Sequence, residues 1–318
     1  MKLVVTDGLS VNPGDLSWDF LDKFGEVTVY DSTSEQDTLS RIRNADIILI
    51  NKTPITEALL NQCPDLKLIC VLATGYNVVD CDAAKKRGIP VCNVPAYGTN
   101  AVAQFTFSLL LELCNRVGHH DRLVHEGVWC KCPSFCFWDT PQMELAGKTM
   151  GIIGFGRIGR AVGAIAKAFG MQVLAYNRSQ CQKGRQIGDY VSLEQLLSQS
   201  DIISLHCPQT PDTVNLINQA TLSKMKDGAI LLNTARGAVV HEADVTEALR
   251  TGKLRGYAAD VVSHEPILES NPLLQAPNCV ITPHMAWAPV ESRRRILDSA
   301  EKSIQSYLSG QLYNAVNM

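Results

Sequence analysis

Four polar residues with complementary chemistry follow three successive apolar runs in the second half of the chain. Arg236 follows the first run, Asp260 and Glu265 follow the second, and His284 follows the third. A histidine beside a carboxylate is a general acid–base pair, and the planar fork of an arginine binds carboxylates. Any one of these residues alone is more often structural, for example an arginine in a salt bridge. The four together favour acid–base chemistry on an anionic substrate.

A glycine-rich turn precedes these residues in the chain. Gly154, Gly156 and Gly159 have GxGxxG spacing, between an apolar run, Met150–Ile153, and an alanine-rich segment with helical periodicity. The first glycine lets the chain turn, the second lets the backbone approach a pyrophosphate, and the third lets helix pack on strand. The amides at the helix N-terminus bind phosphates. GxGxxG by itself is weak, but a strand before it and a helix after it predict a dinucleotide site.

Together the turn and the polar residues fit hydride transfer to a 2-oxo acid. A nicotinamide cofactor delivers hydride to a carbonyl carbon, and the carbonyl oxygen then needs a proton. We predict that His284 supplies this proton, that Glu265 orients the imidazole, and that Arg236 binds the substrate carboxylate. Asp260 is predicted to hold the nicotinamide end of the cofactor, with a helix cap as the alternative.

A parallel sheet must position these residues, because ligands of such sheets bind at the carboxyl ends of the strands. From Lys148 to about Pro283, apolar runs alternate with helical patterns, which predicts this architecture. The predicted strands are Met150–Ile153, Gln172–Tyr176, Ile202–His206, Ala229–Asn233, Gly256–Val261 and Cys279–Thr282.

The dinucleotide-binding residues are predicted at the same edge, in the turn and after successive strands. They are Gly154, Gly156, Arg157, Ile158, Gly159, Asn177, Arg178, Ser179, Cys207, Pro208, Thr213, Thr234, Ala235, Arg236, Asp260, His284 and Ala286.

A second α/β unit is predicted at the N-terminus, where strands and helices alternate without GxGxxG. A long helix, Val290–Leu308, is expected to fold back on this first unit. The fold class is therefore α/β, with two Rossmann-like domains, doubly wound parallel sheets and a discontinuous, flavodoxin-like first domain. The predicted strands of the first domain are Lys2–Thr6, Val27–Tyr30, Ile47–Asn51, Leu68–Leu72 and Pro90–Asn93.

The connection between the two α/β regions begins with a predicted helix from Asn100, as its cap, to Cys114. An irregular segment, His119–Gln142, is predicted next. Its aromatic residues either form an interface or cover the core of the cofactor domain, and the sequence leaves both open. They are Trp129, Phe135, Phe137 and Trp138.

Composition argues against several classes of partner. The 318 residues carry a net charge of −3 with no basic stripe, so no nucleic-acid partner is expected. Arg293–Arg295 is predicted to form a solvated or interface face. The chain starts directly in a strand, and its longest apolar run, Phe107–Leu113, is too short for a bilayer, so no signal peptide and no membrane partner are expected.

The eleven cysteines are scattered through apolar strands and loops. Only Cys130, Cys132 and Cys136 cluster, and no fourth ligand lies nearby, so no metal site is predicted. Reduced, mostly buried thiols in a cytoplasmic protein are the expectation.

Several motifs in this order resemble the D-isomer-specific, NAD(P)-dependent 2-hydroxyacid dehydrogenases, and the resemblance covers nearly the whole chain. It implies Arg236, Glu265 and His284 as the catalytic set, which agrees with the roles derived above. The motifs are Ala73–Asp80, Val94–Thr99, the glycine turn, Thr234–Gly237, Asp260–Pro266 and Thr282–His284.

The resemblance also implies a division of labour between domains. Residues 1–99 plus 285–318 would form the substrate-binding domain, and residues 100–284 the NAD(P)-binding Rossmann domain. Backbone amides at Thr74 and Gly75 would bind the substrate carboxylate. Two subunits would pair through their cofactor domains as a homodimer.

Within the family, four segments are most similar to glycerate dehydrogenases, also called hydroxypyruvate reductases. This implies a small 2-oxo or 2-hydroxy acid partner: hydroxypyruvate and glyoxylate would be reduced to D-glycerate and glycolate. Lys52 lies where the phosphoglycerate branch usually has arginine, and it is predicted to pair with an anionic substrate. The segments are Ile50–Pro54, Pro95–Thr99, Phe135–Asp139 and Pro283–Trp287.

The cofactor is predicted to be NAD or NADP, and the sequence leaves both open. NAD-selective members usually end the second strand with an acid that binds ribose hydroxyls. Here that position is Asn177, followed by Arg178 and Ser179, which could bind a 2′-phosphate.

Two other functions remain as alternatives. One is a dehydrogenase for another D-2-hydroxy acid, of the lactate or phosphoglycerate type. The other is a dinucleotide-sensing binding protein, like the corepressors that resemble this family. The sequence has no low-complexity extensions, and its catalytic set is complete, which favours an enzyme.

Overall fold

The computed structural model describes residues 1–318 and divides the chain into two compact units. Unit 1 consists of Met1–Gly98 and Trp287–Met318, and unit 2 consists of Thr99–Ala286. These bounds lie close to the predicted domain limits. The two chain ends thus belong to one unit, and the middle of the chain belongs to the other.

Unit 1 contains a five-stranded parallel sheet in the order β2-β1-β3-β4-β5. Its strands are β1 (Lys2–Val5), β2 (Glu26–Val29), β3 (Ile47–Ile50), β4 (Leu68–Val71) and β5 (Val91–Cys92). Its helices are α1 (Gly8–Val11), α2 (Glu35–Ile42), α3 (Glu57–Leu60), α4 (Cys81–Lys86) and α12 (Val290–Leu308), with a 3₁₀ helix at Asp19–Phe24.

The central strands of unit 1 are buried on both faces, as a parallel sheet covered by helices requires. Every residue of β3 and β4 is buried. One core cluster contains Ile48 and Leu60, and the opposite cluster contains Leu49 together with Ile296 of α12. The hydrophobic effect therefore holds α12 to the sheet formed by the N-terminal residues.

Unit 2 contains a seven-stranded parallel sheet in the order β12-β11-β10-β9-β6-β7-β8. Its strands are β6 (Thr149–Ile153), β7 (Gln172–Tyr176), β8 (Asp189–Tyr190), β9 (Ile202–Leu205), β10 (Ala229–Asn233), β11 (Leu254–Ala259) and β12 (Cys279–Ile281). The strand order reverses between β6 and β9, so their carboxyl ends form the crevice where such sheets bind ligands.

Helices cover both faces of this second sheet. One core cluster joins Phe107 and Val162 to Ile152, and the other joins Leu196 to Ile203. The helices are α5 (Thr99–Asn115), α6 (Val117–His125), α7 (Arg157–Ala168), α8 (Gln182–Arg185), α9 (Leu193–Gln199), α10 (Gln219–Ser223) and α11 (Glu242–Arg250), with 3₁₀ helices at Trp129–Lys131, Gly237–Val239 and Pro272–Gln275.

The predicted fold class is confirmed, and three local expectations are wrong. Helix α5 begins at Thr99, so Asn100 lies in its first turn and is not its cap. Part of the predicted irregular segment is helical, because Val117–His125 forms α6. Arg293 is 7% exposed and pairs with Asp15 at 2.5 Å, because it lies on the core-facing side of α12.

No helix combines the length and apolarity that crossing a bilayer requires. All eleven cysteines are free thiols, of which five are buried and two, Cys130 and Cys181, are exposed. Burial raises the pKa of Cys92 and Cys114 to about 11. These two core thiols therefore stay protonated and unreactive at neutral pH.

The glycine turn joins β6 to α7 in a conformation that needs two of its glycines. Gly154 has a φ of +92°, and a Cβ there would lie 2.4 Å from the Cys207 nitrogen. A Cβ at Gly159 would lie 2.2 Å from the Gly154 oxygen. A Cβ at Gly156 would meet no atom within 4 Å, so this glycine faces open space.

We predict stability effects of different size for two alanine substitutions in this turn. Gly154→Ala should lower the free energy of unfolding by more than about 2 kcal/mol, because it combines a positive φ with a clash against backbone. Gly156→Ala, with ordinary φ and open space, should change it by less than about 1 kcal/mol. Urea unfolding followed by circular dichroism measures both. Equal losses would contradict this account of the turn.

Candidate active site

The carboxyl edge of the unit 2 sheet brings the predicted catalytic residues together. β10, β11 and β12 are adjacent strands, and Arg236, Asp260 and His284 each follow the end of one of them. Glu265 lies in the loop between β11 and β12 and reaches the same edge. The glycine turn follows β6 at this edge, separated from β10 only by β9.

Asp260 organises the loop that carries His284. It is 2% exposed, and its Oδ1 accepts hydrogen bonds from the Met285 N–H at 2.9 Å and the Thr282 hydroxyl at 2.6 Å. Its Oδ2 accepts one from the Ala286 N–H at 2.8 Å. No helix begins at Asp260, so the cap alternative is wrong. The contact of Asp260 with a nicotinamide stays a prediction.

His284 and Glu265, the predicted acid–base pair, are in contact at this edge. The His284 Nδ1 lies 2.7 Å from the Glu265 Oε2, and the two side chains are 35% and 38% exposed. His284 has a φ of +52°, which is uncommon for a residue with a Cβ. Such backbone strain clusters at functional sites, where surrounding contacts hold it. Here the hydrogen bonds to Asp260 on both sides of His284 supply those contacts.

Arg236 lies on a turn that a buried asparagine closes. The Asn233 side chain donates to the Arg236 carbonyl at 3.0 Å and accepts from the Ala235 N–H at 3.0 Å. The Arg236 guanidinium is exposed and donates to the Ala235 carbonyl at 2.7 Å. A Cβ at Gly237 would lie 1.9 Å from the Val262 carbonyl carbon, so this turn packs tightly on the loop after β11.

The loop after β9 carries the next group of predicted cofactor residues. Cys207 is buried behind the glycine turn. The Thr213 hydroxyl donates to the Pro208 carbonyl at 2.7 Å and thus closes the loop. Burial lowers the pKa of the neighbouring His206 to about 3, and its Nε2 lies 2.8 Å from the Ser204 hydroxyl. His206 is therefore uncharged at neutral pH.

The end of β7 carries no acid. The Asn177 side chain donates to the Ser179 carbonyl at 2.7 Å, and this bond shapes the loop. Arg178 and Ser179 are exposed at its tip. The electrostatic repulsion that an acid would exert on a 2′-phosphate is absent here.

The remaining predicted contacts differ in accessibility. Thr234 is partly buried, and its hydroxyl lies 3.0 Å from that of Thr106. Ala235 and Ala286 are 7% and 3% exposed, and both donate their N–H groups within the chain. Because their N–H groups are already used, these two residues could make only van der Waals contact with a ligand.

The edge where the glycine turn meets α7 has the form of a phosphate-binding site. The open space at Gly156 lets a phosphate approach the backbone, and the amides of Arg157 and Ile158 begin the helix. Arg160 donates to the Phe155 carbonyl at 3.1 Å and holds the turn from outside. No cluster of His, Cys, Asp and Glu side chains is arranged to hold a metal ion.

The predicted substrate residues Lys52, Thr74 and Gly75 lie in unit 1, at the carboxyl edge of its sheet. They follow the adjacent strands β3 and β4, and all three are exposed. The Thr74 hydroxyl donates to the Val94 carbonyl at 2.8 Å, while no hydrogen bond within the chain uses the Gly75 N–H.

Sequence reasoning missed two residues that shape these sites, Asn233 and Asp7. Both are buried polar residues at or just after an apolar strand. Asn233 had a recognisable signal, because an asparagine before a polar turn often bonds to the backbone two residues on. Asp7 had none, since its partners lie about 45 residues away in the chain.

Comparisons with known proteins identify the family. The family model "D-isomer specific 2-hydroxyacid dehydrogenase, NAD binding domain" matches residues 107–286, which is more than half of the chain. A hydroxypyruvate reductase of Blautia hydrogenotrophica is 52% identical over the full length of both chains. A glycerate dehydrogenase of Methylorubrum extorquens is 40% identical over 99% of this chain and 98% of its own.

A solved structure agrees with these sequence matches. The TT0316 protein from Thermus thermophilus superposes with a TM-score of 0.88 and 35% identity, covering 99% of this chain and 100% of its own. The resemblance inferred from the motifs is thus confirmed. The chain belongs to the D-isomer specific 2-hydroxyacid dehydrogenase family and is an oxidoreductase that acts on CH–OH groups with NAD or NADP.

Proposed function

We propose that this enzyme reduces hydroxypyruvate, and also glyoxylate, to D-glycerate and glycolate. The observation that carries the proposal is the His284–Glu265 pair, held at 2.7 Å on the same sheet edge as the glycine turn and Arg236. The hydroxypyruvate reductase and the glycerate dehydrogenase among its relatives support the substrate class.

The cofactor would be held by the glycine turn, the end of β7 and the loops after β9 and β10. The amides of Arg157 and Ile158 would bind its pyrophosphate. Asn177 and Arg178 would lie at the adenosine ribose, while Pro208, Thr234 and the other predicted residues of those loops would line the rest. When bound, the reduced nicotinamide supplies a hydride to the substrate's carbonyl carbon.

His284 would donate the proton that the carbonyl oxygen takes up. Its Nδ1 is engaged by Glu265. This contact would fix the ring orientation, and Nε2 would then carry the transferred proton. The carboxylate of Glu265 also lies 2.7 Å from the ring that would carry the extra proton before transfer. In the oxidative direction the same imidazole would remove the proton from the hydroxyl group.

Positive groups would hold the substrate's carboxylate. Arg236 offers a planar fork of donors at the edge of unit 2. In unit 1, the Gly75 amide and the ammonium of Lys52 are exposed on neighbouring strand ends. As the family resemblance implies, we assign substrate binding in unit 2 to Arg236, and in unit 1 to the Thr74–Gly75 amides and to Lys52.

A substrate panel tests this proposal. Initial rates are measured with hydroxypyruvate, glyoxylate, pyruvate and phosphohydroxypyruvate, each with NADH and with NADPH. We expect kcat/KM for hydroxypyruvate to exceed that for pyruvate at least about tenfold, because a hydroxymethyl group offers hydrogen bonds that a methyl group lacks. The product should be D-glycerate by chiral chromatography.

Other outcomes of the panel would point to the alternatives. Faster turnover of pyruvate would indicate a dehydrogenase of the lactate type. Faster turnover of phosphohydroxypyruvate would indicate one of the phosphoglycerate type. Tight dinucleotide binding without turnover of any acid would support a sensor and contradict the proposed enzyme function.

We further propose that the enzyme accepts both NADH and NADPH, with Arg178 binding the 2′-phosphate. The exposed guanidinium and the lack of an acid after β7 support this. Arg178→Ala should lower kcat/KM with NADPH about tenfold and leave the value with NADH within about twofold. Arg185→Ala, on the exposed helix α8 nearby, is the control. An equal loss with both cofactors would contradict the assignment to the 2′-phosphate.

We propose a homodimer formed through the cofactor domains. Phe135 and Trp138 are 87% and 65% exposed, which supports the interface over the alternative that they cover their own domain's core. Asp139 accepts a hydrogen bond from His119 at 2.6 Å and lies 3.3 Å from His120, so the aromatic segment is anchored to α6.

Sedimentation velocity tests the dimer. Two chains per particle are expected for the native enzyme. The double variant Phe135→Ser/Trp138→Ser should be monomeric, because the two subunits would lose most of their apolar contact. A monomeric native enzyme would contradict the proposal. The cytoplasmic location stays a prediction from the sequence.

A further inference from the structure

The Asp7 carboxylate is buried at the carboxyl edge of the unit 1 sheet, and the proposed function gives it no role. Asp7 is 9% exposed. Its Oδ2 accepts hydrogen bonds from three successive backbone N–H groups, those of Asn51 at 2.9 Å, Lys52 at 2.9 Å and Thr53 at 3.0 Å. Its Oδ1 accepts one from the Thr53 hydroxyl at 2.8 Å.

Sheet topology explains why the two segments meet. β1 pairs with β3, and Val5 lies opposite Leu49. Asp7 and Asn51 each come two residues after this pair, just beyond the strand ends, and therefore lie side by side. Successive N–H groups that converge on one point form an anion-binding concavity, and here the protein's own carboxylate fills it.

The negative charge of Asp7 strengthens the hydrogen bonds that it accepts. Burial alone raises the pKa of Asp7, but the hydrogen bonds from Asn51, Thr53 and Lys52 together lower it below its usual value. The carboxylate is thus ionised at neutral pH. Charge-assisted hydrogen bonds of this kind are shorter and stronger than neutral ones.

The anchored segment contains one exposed cation. Only the backbone of Lys52 is held, and its side chain is exposed between two buried neighbours, Asn51 and Thr53. The Asn51 side chain donates to the Ser10 hydroxyl at 2.9 Å and fixes the segment from its other side. The direction in which Lys52 leaves the sheet edge is therefore set by Asp7.

We propose that Asp7 is a positioning residue for substrate binding, which fixes residues 51–53 and so aims the Lys52 ammonium at the anionic 2-oxo acid. This inference rests on the substrate role of Lys52 in the proposed function. Asp7 does not touch the substrate and acts through Lys52 alone. Its removal should therefore change KM rather than kcat.

A double-mutant cycle tests the inference. With hydroxypyruvate, Lys52→Ala should raise KM about tenfold, and Asp7→Asn should raise it about fivefold, each with kcat within about twofold. The double variant should have the KM of Lys52→Ala, because Asp7 has no effect once the side chain that it positions is gone. NADH affinity should not change, since the dinucleotide residues lie in unit 2.

Asp46→Asn is the matched control. Asp46 also accepts a backbone N–H, from Lys2 at 2.7 Å, and pairs with Lys67 at 2.7 Å, but it lies at the opposite edge of the same sheet. It should leave KM unchanged. If Asp7→Asn does not fold, Thr53→Val removes one hydrogen bond to Asp7 and should raise KM in the same direction.

The outcomes separate this inference from the proposed function. A raised KM in Lys52→Ala with an unchanged KM in Asp7→Asn would overturn the inference and leave the substrate role of Lys52 in place. Additive effects in the double variant would also overturn it, since Asp7 would then act independently of Lys52. An unchanged KM in Lys52→Ala would overturn both the inference and that part of the proposed function.

Discussion

The candidate active edge of unit 2 depends on the buried carboxylate of Asp260. Withdrawing a charge from water costs several kcal/mol, and the cost is offset only when hydrogen bonds replace the lost hydration. Here the replacements come from Thr282, Met285 and Ala286, which flank His284. The same hydrogen bonds thus replace the water around Asp260 and shape the loop that carries His284. The strained φ of His284 persists because its neighbours on both sides are bonded to one rigid acceptor.

A similar arrangement occurs in unit 1. In both units a buried aspartate follows one strand, and its carboxylate accepts backbone N–H groups of the segment that follows an adjacent strand. Asp7 holds the segment that carries Lys52, as Asp260 holds the one that carries His284. The exposed side chains with proposed functions lie on these segments, while the charges that fix the segments are buried. The parallel sheet makes this possible because its strand ends lie side by side at one edge.

Much of the fold and of the candidate site could be predicted from the sequence, because these features depend on local sequence patterns. Apolar runs and glycine spacing located both sheets and the turn, and the polar residues after the strands predicted the edge at which Arg236 and His284 lie. The partners of buried polar groups could not be predicted, because they depend on which strands are neighbours. Asp7 illustrates this, since its acceptor role requires knowing that β1 pairs with β3. Arg293 illustrates the same limit, because its helix face is buried only through the contact of α12 with the N-terminal sheet.

His284 is the proposed proton donor, and His284→Ala tests this role most directly. We predict a fall in kcat with hydroxypyruvate of at least about 100-fold, the usual contribution of general acid–base catalysis. The dissociation constant for NADH, measured by fluorescence titration, should stay within about twofold. His264→Ala is the control, because His264 bonds to the Pro266 carbonyl at 3.0 Å outside the pair. Activity within tenfold of the native enzyme, or loss of NADH binding, would contradict the assignment.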